Sequence, residues 1–297
     1  MEYRGFGQTD MKVSALGFGG SEIGGTEDAK AVDALLGSAL DAGLNLIDTA
    51  ECYGRSEELI GQVVSHRRSD FYLFSKCGHA SGLATSDWDV QTLQDSIDRS
   101  LKRLRTDYLD LLQLHSCSLE TLRQGDVIEV LQRARDAGKV RYIGYSGDNE
   151  AALYAVESGV FDSLQTSINV ADQSVIDQVL PAARDKGMGV IAKRPIANVA
   201  WQYEHTPENS YYVAYWERLK ELQYGFTKQS LTEAVSTALR FTLSVPGVTT
   251  AIVGTTNPGR WQQNADLVNQ GPLDATAYDE IRARWREVAK PDWVGRT

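Results

Sequence analysis

The stretch Ala39-Leu40-Asp41-Ala42-Gly43-Leu44-Asn45-Leu46-Ile47-Asp48-Thr49 contains a helix end, a glycine and a strand in direct succession. Upstream, Ala29, Val32, Leu35, Leu36, Ala39 and Leu40 recur at helical spacing, which predicts a helix over Thr26–Ala42. Gly43 stops it, and the apolar run Leu44–Thr49 follows as a strand. The same joint recurs at Ala137-Gly138, Ser158-Gly159 and Lys186-Gly187. Further strands are expected at Ser14–Gly19, Phe71–Lys76, Tyr108–His115, Arg141–Ser146, Phe161–Thr166, Gly189–Lys193 and Thr249–Gly254. Asp89–Leu104 reads as a helix, and Ser230–Leu243 as another opened by a Ser230/Glu233 capping box. Strands alternating with helices imply a parallel sheet with right-handed crossovers. Eight such units in 297 residues favour an α/β fold of the closed (β/α)8 TIM-barrel type over an open doubly wound sheet. Glu2–Lys12 reads as a short N-terminal β-hairpin around Gln8-Thr9-Asp10. With no linker-like tract, residues 1–297 are expected to form one barrel domain.

Composition excludes several classes. Lys+Arg number 30 against 40 Asp+Glu, a net charge of −10, so a nucleic-acid face is not expected. No apolar run approaches the ~18 residues of a membrane span, and Met1-Glu2-Tyr3-Arg4-Gly5 opens no secretory signal. Three cysteines without Cys-x-x-Cys spacing suggest a reduced, cytoplasmic protein.

Barrels of this type place their chemistry at the C-terminal ends of the strands. Asp48, Lys76, His115 and Ser146 end four consecutive expected strands, and Tyr53 lies in the loop after Asp48. Taken singly, each has an ordinary structural reading: a salt bridge, loop packing, a satisfied polar group. Together they carry more. An Asp and a Tyr five residues apart, then a strand-ending Lys, then a strand-ending His, resemble the aldo-keto reductase superfamily, and the resemblance spans nearly the whole chain. It implies an oxidoreductase that reduces the carbonyl of a small aldehyde, ketone or sugar, reversibly, with NADP(H). Tyr53 would be the proton donor. Lys76 ammonium beside the phenol is expected to lower its pKa from about 10. Asp48 would hold Lys76 charged, and His115 would donate a hydrogen bond to the substrate oxygen.

No Gly-x-Gly-x-x-Gly run opens a helix after a strand, so a Rossmann site is not expected. The run Ile252-Val253-Gly254-Thr255-Thr256-Asn257-Pro258-Gly259-Arg260 ends a strand and opens a helix, with Asn257 as N-cap and Pro258 at the first helical position. Such a helix start beside two threonines and an arginine is an anion site. The resemblance implies that this segment holds the adenosine phosphate, with Arg260, Gln263 and Asn264 as contacts. It further implies Ser146, Gln165 and Asn169 at the nicotinamide, and Gly20 of the glycine-rich run Leu16–Ser21 is placed with the cofactor. Three departures stand out: Ser146-Gly147-Asp148 replaces the family's Ser-Asn, Lys193-Arg194 replaces an aromatic that stacks on nicotinamide, and Gly254 replaces a basic residue. Arg194, planar, is expected to take over the ring face; the alternative is that both chains reach solvent or a carboxylate such as Asp148.

Trp201–Trp216 carries six aromatics in sixteen residues, so Trp201, joined by Trp88, is expected to wall the substrate pocket. Lys290–Thr297 is too short for more than a modest lid. Cys52, Cys77 and Cys117 flank the site and read as buried filler rather than a redox switch. No metal is expected, because ligation would consume His115. A metallohydrolase would want several strand-end histidines. A Schiff-base aldolase would want a neutral lysine, which Asp48 opposes. The remaining alternative is a non-catalytic NADP(H)-binding regulatory subunit. Oligomeric state is not legible.

Overall fold

The computed structural model describes residues 1–296. Two short strands, β1 (Tyr3–Gly5) and β2 (Lys12–Ser14), pair antiparallel as the expected hairpin. The eight strands that follow are β3 (Leu16–Gly19), β4 (Leu46–Asp48), β5 (Tyr72–Cys77), β6 (Leu109–His115), β7 (Val140–Ser146), β8 (Ser163–Ser167), β9 (Gly189–Lys193) and β10 (Thr250–Val253). All pair in parallel, and β10 closes on β3 to complete the barrel. Each expected strand is therefore present, shifted by no more than a few residues.

Helices surround the barrel and shield its outer face, which is why the strands read as near-continuous apolar runs. The helix Ala29–Asp41 buries Val32, Leu35, Leu36, Ala39 and Leu40. It begins three residues later than expected because Asp28, not Thr26, accepts from a first-turn amide, Ala31 N–H. Asp89 caps Val90–Leu104, and the Ser230/Glu233 capping box opens Leu231–Ser244.

The floor of the barrel is closed by the hairpin. Phe6, Met11 and Val13 pack with Leu46, Phe74, Leu111 and Ile191 in a core separate from the main one. Full burial of a Phe6-sized side chain contributes about 1.5–3 kcal/mol. Gly7 permits the approach: at φ +59, an added Cβ would lie 2.4 Å from Gly189 N.

Register aligns the upper rim. Asp48 pairs with Gly19 and Phe74, Lys76 with Gln113, and His115 with Ser146, which pairs with Gln165. The residues that end the strands thus form one ring around the open end.

Two features differ from expectation. The helix after β10 spans Arg260–Val268, with Gly259 and not Asn257 as its N-cap. Asn257 Oδ1 accepts from Gly259 N–H, so a local side-chain turn takes up Asn257-Pro258 before the helix begins. The second lies in the C-terminal tail: among the described residues it runs along the barrel side and meets the cavity wall only through the Arg296 carbonyl, which accepts from Arg194. Trp293 packs on Trp285, Val294 C=O accepts from Arg218, and Gly295 pairs with Asn149. No helix among the described residues is long and apolar enough to cross a membrane.

Candidate active site

The rim ring surrounds a cavity of about 730 Å³. At its base Asp48 and Lys76 are each 1% exposed. Lys76 Nζ donates to Asp48 Oδ2 at 2.5 Å and to the Thr49 carbonyl at 2.8 Å. The Asp48 carboxylate also accepts from Gln113 Nε2 at 3.2 Å and Gln165 Nε2 at 3.3 Å. Such a buried pair is tolerable only because these extra bonds satisfy its remaining lone pairs. Burial lowers the Lys76 pKa, but the facing carboxylate outweighs it and the net shift is upward.

Tyr53 reaches over this pair from the loop after β4. Its hydroxyl lies 3.4 Å from His115 Nε2, and Lys76 Nζ is 5.0 Å from its ring centroid. The sequence-based expectation of a lowered phenol pKa is corrected here: burial pushes it up to about 12, against the lowering effect of Lys76. The negative charge of Asp48 beside the ammonium adds to the upward shift.

His115 is held well below the ordinary histidine range, first by burial and then by Lys76. Its neutral ring keeps one N–H. Cys52 Sγ sits 3.3 Å from Nδ1, and burial pushes that thiol up to about 12, so Cys52 remains an S–H donor. In the tautomer in which Nδ1 accepts from that thiol, Nε2 carries the proton that faces Tyr53. Burial likewise raises Cys77 and Cys117, the latter to about 12, which leaves these two thiols as unreactive filler.

The Tyr53 loop is positioned by a glycine no sequence argument singled out. A Cβ on Gly24 would lie 2.0 Å from the Tyr53 carbonyl oxygen, and Arg55 N–H donates to the Gly24 carbonyl at 3.0 Å. Gly24→Ala must push the Tyr53 backbone by about 1 Å, enough to cost roughly 10²-fold in turnover. Steady-state kinetics beside a denaturation curve will show whether turnover falls further than stability.

The other expected residues divide into two groups. Gly20, Ser146, Gln165, Lys193, Arg194, Gly254, Thr255, Arg260 and Asn264 line the cavity. Thr256, Asn257, Gln263 and Asn169 do not, although Asn169 lies buried just after β8 with its Nδ2 unpartnered. Trp88 and Trp201 are also off the wall. Trp88 lies over Gly78 and against His79, and Trp201 packs on Phe226. Tyr211 and Tyr212 from the same aromatic stretch take their place. Lys193 follows the alternative reading: Nζ pairs with the buried Asp148 at 2.9 Å. Arg194 bonds Tyr211, the Arg296 carbonyl and, at 2.7 Å, Ser167 Oγ. Gln113, which bridges Asp48 and Gln165, was missed; its place two residues before His115 on one strand face was the available signal.

The family model of the Aldo/keto reductase family matches residues 15–286. The chain belongs to that family. This aldo/keto reductase family member is 28% identical to L-galactose dehydrogenase of Arabidopsis thaliana, over 99% of this chain and 97% of that protein. It is 26% identical to a probable voltage-gated potassium channel subunit beta of the same plant, over 92% and 93%. Among solved structures, the holo form of an aldo-keto reductase from Bacillus halodurans superposes with a TM-score of 0.83 at 25% identity, covering 96% of each chain. The family is one of oxidoreductases that bind nicotinamide cofactors.

Proposed function

We propose that the protein catalyses reversible, NADP(H)-dependent reduction of the carbonyl of a small aldehyde, ketone or sugar. The observation that carries this reading is the convergence of Tyr53 hydroxyl, His115 Nε2 and the buried Lys76–Asp48 pair at the base of one cavity. The residues present fit a dinucleotide. β10 stands across the barrel from β6, so Arg260 and Asn264 face the His115 side over the width of the mouth. Arg260 has no ion-pair partner among the described residues, and Asn169 Nδ2 is a buried donor awaiting an acceptor. Bound NADPH would supply the hydride.

The chain's own residues do the rest. His115 Nε2–H donates toward the Tyr53 oxygen and the carbonyl oxygen, which leaves the phenol proton free to move to substrate. Tyr53, fully protonated at neutral pH, is the acid for reduction. Lys76, held charged by Asp48, stabilises the phenolate that remains. Ser146 and Gln165, on the cavity wall, orient the carboxamide; Arg260, Asn264 and Thr255 serve the phosphate end.

Arg260 supports the NADP preference. Arg260→Ala is expected to weaken NADPH binding by roughly 1.5–3 kcal/mol and leave NADH almost unchanged. Fluorescence titration of both cofactors checks it; equal losses would remove Arg260 from phosphate recognition. The similarity to a channel subunit favours a second reading, a regulatory NADP(H)-binding protein. Turnover of NADPH with a panel of aldehydes and aldoses separates the two, since a regulator would bind the cofactor and turn nothing over.

A further inference from the structure

Behind the Tyr53 hydroxyl lies a second group of ligating atoms. A carboxylate oxygen of Glu51, Cys52 Sγ and a ring nitrogen of His115 all lie within 4.8 Å of one another. Cys52 Sγ and His115 Nδ1 are 3.3 Å apart. In tetrahedral zinc sites, with Zn–N near 2.0 Å and Zn–S near 2.3 Å, that edge is roughly 3.5 Å. Glu51 is 1% exposed; Oε1 accepts from His79 N–H at 3.0 Å, while Oε2 is buried and has no partner. A buried carboxylate oxygen left without a donor is costly, and a cation would satisfy it. Cys52 and His115 are only partly buried, so the group is open to an ion from outside.

We propose that Glu51, Cys52 and His115 form an inhibitory site for a borderline-soft divalent cation of the zinc type. One sulfur, one imidazole and one carboxylate suit such an ion and leave a fourth position for water. Binding displaces the protons of the thiol and of the acid, as thiolate ligation requires. It also fixes the imidazole on the ion, at an edge to Cys52 close to the one already present. With the ring so fixed, the His115–Tyr53 contact, already 3.4 Å, cannot tighten. Cation occupancy and carbonyl reduction then exclude each other.

The test begins on the cofactor-free, chelator-treated protein, so that it does not depend on the reaction assigned above. Cobalt(II) is titrated in and the near-ultraviolet thiolate-to-cobalt charge-transfer band followed, with zinc displacing it. The wild type should show the band. Cys52→Ala should abolish it, and Glu51→Gln should keep it while weakening zinc affinity by at least ~10-fold, on the scale of a lost contact to a metal centre. Zinc should inhibit NADPH turnover with an aldehyde, relieved by chelator. In Cys52→Ala, normalised to its own uninhibited rate, the half-inhibiting concentration should rise at least ~10-fold. No band in the wild type, a band that survives Cys52→Ala, or wild-type zinc affinity in Glu51→Gln each overturns the site. Cation binding without any turnover would instead count against the reductase reading alone.

Discussion

Tyr53→Phe is expected to lower turnover by ~10²-fold or more, the scale of a lost general acid, with NADPH affinity near normal. The substitution removes one oxygen. The ring stays over Lys76, whose Nζ is 5.0 Å from its centroid, and the Lys76–Asp48 pair is untouched. The loss therefore reports the hydroxyl, its proton and its contact with His115 Nε2. The raised phenol adds a pH signature to the parent enzyme. Tyr53 near 12 is protonated throughout the neutral range, so reduction should be flat there. Oxidation needs the phenolate, and its rate should still be climbing at ~pH 10. Stopped-flow measurement of both directions decides it: full activity in Tyr53→Phe removes the residue from the mechanism.

Lys76→Met should cost about 3–5 kcal/mol of stability, the consequence of leaving one buried charge without its partner. Asp48 would keep only the two glutamine amides, at 3.2 and 3.3 Å, to face its negative charge. Turnover should fall as well, because the phenolate formed by Tyr53 would lose its nearest cation. Urea denaturation of Lys76→Met, Asp48→Asn and the double variant separates the effects. If the double variant is no more stable than Lys76→Met, the stranded carboxylate is not the source of the loss.

The barrel was legible because its periodicities are local. Each helix-stop glycine, such as Gly43, marks a joint, and each strand is a run that needs no distant partner to be recognised. The tetrad was legible for the same reason: Asp48, Lys76 and His115 end strands, and parallel register brings strand ends together. What escaped depends on contacts between distant residues. The sequence offered Asp148 as one possible partner of Lys193 but could not choose it over the nicotinamide face, because the 2.9 Å pair joins the ends of two different strands. Counting aromatics in Trp201–Trp216 cannot tell that Tyr211 and Tyr212 face inward while Trp201 turns to Phe226. The direction of the Tyr53 shift depends on burial, a property of the assembled site, which here exceeds the local charge.

The hairpin under the barrel has a kinetic consequence. With Phe6 and its neighbours filling the lower end, the pit at the top has a single mouth. Two reactants must share it, and whichever lies deeper has to enter first and leave last. On the proposed reading the dinucleotide spans the mouth from Arg260 toward Tyr53, so the carbonyl compound queues behind it. Product inhibition should then be competitive between oxidised and reduced dinucleotide alone, the pattern of a compulsory sequence imposed by a closed floor.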